Sequence, residues 1–152
     1  MEVVPVLHNV SSVQRVVDMA RLVFSLGFNT LVITKAYGGA AQSGVPEAMR
    51  LALKLNARLI VLPDLEDAIE IFKPDTIVAV TRSYAEEQIN PVNPPVSKGR
   101  ILIVFSGGDP EFSPHELAGA RKVYLEGVKG KLGPVAEAAL ILYHVARYVK
   151  EG

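Results

Sequence analysis

The sequence predicts an α/β fold, with a mostly parallel sheet flanked by helices, in a single domain spanning residues 1–152. Three observations predict it. Short runs rich in valine, isoleucine and leucine recur along the chain. Helical patterns with recognisable start and stop residues separate them. The runs are apolar nearly throughout rather than alternating, as strands covered on both faces require.

The expected strands are Glu2–Leu7, Thr30–Thr34, Arg58–Leu62, Thr76–Thr81, Arg100–Phe105 and Lys122–Leu125. The first helix runs from about Ser11 to Leu26. Asn9, Ser11 and Ser12 offer short side-chain oxygens to its free N–H groups, and Gly27 suits the position after its end. Arg15 is a misfit there, because a first turn favours an anion over a cation. The second helix opens near Pro46, a residue favoured at the first helical position, and ends near Asn56. A third covers Asp64 to Lys73 and stops before Pro74. A short fourth helix is expected at Ser113-Pro114-His115-Glu116, with Ser113 as cap and Glu116 three residues on. The fifth runs from about Pro134 to Lys150. The stretch NPVNPPVSKGR reads as a surface loop.

A chain of 152 residues can bury a proper core. Sixteen basic and sixteen acidic residues cancel, so a nucleic-acid partner would have to be held by local arginines and lysines. The chain has no cysteine, which removes disulfides, zinc–thiolate sites and iron–sulfur clusters. His8, His115 and His144 stand too far apart for a short-range ligand pattern, so no metal is expected. No apolar run is long enough to span a bilayer and no signal-peptide pattern opens the chain; a cytoplasmic protein without membrane contact is expected.

Ligands of parallel α/β sheets bind beyond the C-terminal ends of the strands. The loops there, His8–Ser12, Lys35–Val45, Arg82–Ser97, Ser106–Ser113 and Glu126–Gly133, concentrate glycine and fit a crevice lined by backbone. The G-x-G-x-x-G and G-x-x-x-x-G-K-[ST] fingerprints are absent, as is a G-x-S-x-G elbow. Asp109, Glu111 and His115 could be imagined as an acid–base cluster, but turn and helix-entry roles account for the two acids. Lys35, Tyr37 and the Gly38–Gly44 stretch read as a mobile loop. The last helix, PVAEAALILYHVARYV, is apolar around almost its whole circumference. It must either be sandwiched within the fold or meet a second subunit, and a two-fold dimer is the default.

Three stretches, in order, resemble the motifs of the SpoU-type methyltransferases of the SPOUT superfamily: HNVSSVQR, ILIVFSGGDPEFSPHEL and VYLEGVKGKLGPVAEAALILY. Asn9, Ser11 and Arg15 fall on the first motif, and the match covers most of the chain at the length of a compact, archaeal-type, single-domain member. The resemblance implies a C-terminal trefoil knot and a homodimer joined through the C-terminal helix. It also implies S-adenosylmethionine as cofactor and methylation of tRNA or rRNA. The implied catalytic residues are Arg15, at the RNA target, and Asn9. The implied cofactor pocket comprises Thr81, Arg82, Ser106, Gly107, Gly108, Leu125, Gly127, Leu132, Gly133 and Pro134. Gly108 stands where the family has glutamate, and Gly133 and Val135 where it has asparagine and serine. These departures give the alternative of a catalytically inactive dimer that binds a nucleoside ligand or RNA. A nuclease would call for acidic residues clustered around a metal, and Asp64, Glu66, Asp75 and Asp109 show no such clustering in sequence.

Overall fold

The structure, a computed structural model, describes residues 1–151. Strands β1 (Glu2–Val10), β2 (Thr30–Ala36), β3 (Arg58–Leu62), β4 (Thr76–Val80), β5 (Glu87–Ile89), β6 (Arg100–Ser106) and β7 (Arg121–Leu125) form one sheet in the order β3-β2-β1-β6-β4-β7-β5. The pairings are parallel throughout, and β1 lies between β2 and β6. This arrangement explains the continuous apolar runs. Val4 and Val6 of β1 face one layer and Leu7 the other, so a fully covered strand needs apolar residues at both parities.

Helices α1 (Val13–Ser25), α2 (Val45–Lys54) and α4 (Pro134–Glu151) cover one face. Helix α3 (Leu65–Phe72) and the 112–120 segment cover the other. Ser12 caps α1, its hydroxyl accepting from the Arg15 N–H at 3.2 Å. Asp64 caps α3 in a reciprocal box with Asp67.

The structure departs from the sequence expectation in three places. Strand β5 lies inside a stretch expected to be loop. It has three residues, only Ile89 is buried, and so it has no apolar run to announce it. The expected fourth helix is a series of turns, although the Ser113–Glu116 capping bonds form at 2.8 and 3.4 Å. Its backbone bonds run from residue i+3 to residue i, and Gly119, at φ 78°, reverses the chain before an α-helical turn is established. The Gly38–Gly44 stretch is packed rather than a free loop. Ala40–Gly44 forms a π-helical turn against α1, where Gly44 comes so close to Val13 that an added Cβ would lie 3.3 Å from its Cα. The C-terminal helix is sandwiched on one side only. Ala138, Ile141, Leu142 and Val145 are buried, whereas Leu140, Tyr143, Tyr148 and Val149 are 39–49% exposed.

Candidate functional site

The C-terminal ends of β1, β6 and β7 bring three loops together. Asn9, one residue before the end of β1, is in the left-handed region at φ 59°, and its side chain reaches across to the loop after β6. Its Nδ2 donates to the Pro110 carbonyl at 3.2 Å, and a Cβ on Gly108 would lie 2.0 Å from that nitrogen. Asparagine at 9 and glycine at 108 are therefore one steric decision: a side chain at 108 would have to displace the amide of Asn9.

Arg15 does not pair with Asp18 or Glu2. Asp18 is held by Gln14 and Arg21, and Glu2 by Arg100. The Arg15 guanidinium instead spans to the β6 loop and donates to the Gly107 carbonyl at 2.8 Å. Lys131, from the loop after β7, donates to the Gly108 carbonyl at 2.8 Å. Arg15, Gly107, Gly108, Asp109, Lys131, Leu132 and Gly133 line a crevice of about 300 Å³.

Five of the twelve residues expected at the site thus meet in one crevice: Arg15, Gly107, Gly108, Leu132 and Gly133. Arg82 and Leu125 line a neighbouring notch of about 340 Å³ with Tyr124 and Val128, and Arg82 donates to the Lys129 carbonyl. Asn9 braces the Gly108 loop from behind. Gly127, at φ 75°, lies in the loop after β7, and Pro134 starts α4. Thr81 and Ser106 are buried and tie the loops together: the Thr81 hydroxyl donates to Glu111 Oε1 at 2.7 Å and the Ser106 hydroxyl to the Glu111 carbonyl at 2.6 Å.

The sequence reading passed over Lys131, Tyr124 and Glu137 and dismissed Glu111. Both glutamates are buried, and each keeps one carboxylate oxygen without a hydrogen bond: Oε2 in Glu111 and Oε1 in Glu137. Glu111 Oε1 accepts from Thr81 and from the Ser83 N–H, while Oε2 lies 4.0 Å from the Lys131 ammonium. Glu137 Oε2 accepts from the Tyr124 hydroxyl at 2.7 Å, and that hydroxyl accepts from the Leu132 N–H. Burial, with the negative charge of Glu111, pushes the Glu137 carboxyl up to about 7, against the pull of Tyr124, Lys131 and Arg15. Burial and the Glu137 contact push the Tyr124 phenol up to about 12.

The imagined Asp109–Glu111–His115 cluster does not assemble: Glu111 is buried under the crevice and His115 is exposed beside Glu66. His8 is instead enclosed in the sheet. Its Nδ1 meets the Thr34 hydroxyl at 2.8 Å, its ring stacks on Phe112, and Nε2 lies 2.8 Å from Glu116 Oε2 without an aligned hydrogen bond. Burial holds the imidazole below its ordinary value, and Glu116 offsets this only in part. Among the described residues, no group of three or more His, Cys, Asp or Glu side chains could hold a metal ion, and no helix is long and apolar enough to cross a membrane.

Residues 38–144 match the family described as RecB-family nuclease, DUF2122. A protein of Aeropyrum pernix, provisionally named type II restriction enzyme ApeKORF2002P, is 66% identical over 146 residues, covering 96% of this chain and 94% of its own length. A second, from Methanocaldococcus jannaschii and provisionally named type II restriction enzyme MjaORF1200P, is 30% identical over 94% of this chain and 95% of its own length. Among solved structures, the SpoU methyltransferase AviRb from Streptomyces viridochromogenes, in complex with AdoMet, superposes with a TM-score of 0.75 at 14% identity. The match covers 99% of this chain, which spans only 62% of that protein. A probable methyltransferase from Bordetella pertussis gives 0.73 at 16% identity, covering 96% of this chain and 93% of that one.

The α/β fold of the SpoU-type enzymes is therefore the fold of this chain, as expected. The expected activity is corrected. The matching family and both sequence relatives carry nuclease names, which overturns the assignment as an S-adenosylmethionine-dependent RNA methyltransferase, together with its inactive variant. The physical reason is that motif spacing reports how loops are placed on a sheet, and one such scaffold carries different chemistries.

Proposed function

This chain belongs to the family described as RecB-family nuclease, DUF2122, and from that premise we propose that it acts on nucleic acid, seating a backbone phosphate against Arg15 and Lys131. The observation that carries this reading is the way the two cations are held. Each donates to a neutral backbone carbonyl at 2.8 Å, and the carboxylate that pairs with Lys131, Glu111, stands off at 4.0 Å. Arg15 lies in the first turn of α1, whose N-terminal dipole adds to the attraction for an anion. This answers the misfit in the sequence: a cation there is unfavourable for the helix alone and favourable for an anion bound between the two. In the phosphodiester cleavage named for the relatives, negative charge grows on the phosphate oxygens. A positioned guanidinium and ammonium stabilise that charge. Asn9 acts as a positioning residue, holding the Gly108 loop.

RNA is the polymer expected from the structural likeness, and DNA is the ordinary substrate of a restriction enzyme, the name the relatives carry; both present the same phosphate. The neighbouring notch, lined by Arg82, Glu86, Glu87, Tyr124, Leu125 and Val128, would take an adenosyl ligand of the S-adenosylmethionine class, with Leu125 against the base. The exposed apolar side of α4 would pair with a second copy of the chain. The cytoplasm is the compartment this reading assumes.

Fluorescence anisotropy with labelled RNA and DNA oligonucleotides across a salt series, with gel assays of cleavage, tests the reading. Losing Arg15 should weaken binding about tenfold or more and lower the salt slope by about one. Unchanged affinity and slope in Arg15→Ala would remove the crevice from the account.

A further inference from the structure

The two edges of the sheet are built differently. β5 ends one side with three residues, Glu87 and Gln88 among them, and a short polar strand is how natural sheets blunt an edge. β3 ends the other side with Arg58–Leu62, and after Arg58 its residues are Leu59, Ile60, Val61 and Leu62. The Arg58 N–H donates to the Asn29 carbonyl, on the β2 side. Alternation along the strand therefore turns the N–H and C=O groups of Leu59 and Val61 away from β2, outward from the sheet. Exposed apolar side chains border that edge in both layers. Val61, 42% exposed, points to the same face as Leu59, toward α2. Met49 and Leu53 stand one turn apart on the flank of α2 opposite Glu47 and Lys54, which line a groove against α1. On the other face, Ile71 lies on the flank of α3 opposite Glu66 and Ile69, which face the 113–118 turns. Leu53 is 74% and Ile71 58% exposed.

We propose that β3 pairs antiparallel with β3 of a second copy of this chain about a two-fold axis, joining two sheets into one. The outward groups fix the register. With Ile60 on the axis, Leu59 of each copy faces Val61 of the other, and the two residues exchange their N–H and C=O groups. A register centred on Val61 would oppose Leu59 to Pro63, which has no N–H to give. One centred on Leu59 would oppose Val61 to Ala57, whose N–H is committed to the Ala52 carbonyl. The register centred on Ile60 also brings Arg58 of each copy toward Asp64 of the other, a cation toward a carboxylate. Met49 and Leu53 on one face, and Ile71 on the other, then close over the joint. A five-residue strand pair is a small contact, so it forms as protein concentration rises, beyond the pairing through α4.

Sedimentation of the full chain from micromolar to millimolar protein should show the mass at least doubling toward the upper end. If α4 does not pair, the doubling starts from the monomer and the test is the same. Over that range, amide hydrogen exchange at Leu59 and Val61 should slow about tenfold or more. Val61→Pro removes one outward N–H and no bond to β2, which an edge strand tolerates. It should abolish both the doubling and the slowed exchange at Leu59. Arg58→Glu makes the same test through charge if the proline variant folds poorly. An unchanged mass at millimolar protein would overturn the proposal. So would a doubling that survives in the folded variants, or one that leaves exchange at Leu59 and Val61 unaltered.

Discussion

Replacing Glu137 with glutamine should change how stability depends on pH, and the size of the change follows from where the carboxyl lies. The group is wholly buried with one oxygen unpaired, and its ionisation moves from an ordinary 4.5 to about 7 in the folded chain. Folding then favours the protonated form. The contribution to stability is fully present below 4.5, falls as pH rises, and is lost once pH passes about 7. At 1.36 kcal/mol for each pH unit between the two values, the ionised group costs about 3 kcal/mol at high pH relative to low. Glutamine cannot ionise and should not show this loss. Urea denaturation of both proteins at pH 5 and pH 8 gives two stability differences. Glu137→Gln should gain on the unsubstituted protein by about 2–3 kcal/mol between them, since part of the loss already lies below pH 5. The same difference at both pH values would show that Glu137 is solvated or paired in solution, and would remove its unmet oxygen from the account.

Further predictions follow from the loops, the sheet and the last helix. Gly108→Ala should destabilise by about 1–3 kcal/mol, because its Cβ meets the Asn9 amide; Asn9→Gly in the same chain should recover most of that in thermal unfolding. His8, held below 6.5 by burial, makes stability fall as pH drops through 6.5; His8→Gln should flatten that limb of a pH series of denaturation curves. Leu140→Glu or Tyr143→Glu should leave the circular dichroism unchanged and shift sedimentation from a dimer to a monomer. A monomer in the unsubstituted protein would refute the pairing.

Much of the fold was legible because a parallel sheet asks for what sequence displays best: continuous apolar runs separated by capped helices. Ser12, Pro46 and Asp64 mark three helix starts by local chemistry alone. β5 was not legible, since a three-residue edge strand with one buried side chain has no period to read. The 113–118 turns were misread because Ser113 and Glu116 make the bonds of a helix start whether or not a helix follows. At the site, Arg15 stood out as a helix misfit and the glycines as loop residues. Glu137 did not stand out, because an acid in the first turn of a helix is ordinary. Only the fold, by placing Tyr124 and Leu132 over it, makes it a buried group with an unmet oxygen. The reaction was the least legible part. The motifs that resemble those of the SpoU enzymes describe how loops sit on the sheet, whereas the sequence relatives carry a different chemistry in their names.

The claim that the crevice is where nucleic acid binds is tested most directly by nuclear magnetic resonance, following backbone amides during titration with a short oligonucleotide. The account predicts the largest shifts at Arg15, Gly107, Gly108, Lys131, Leu132 and Gly133, with little change along α3. Shifts confined to other faces, or none at saturating oligonucleotide, would contradict it.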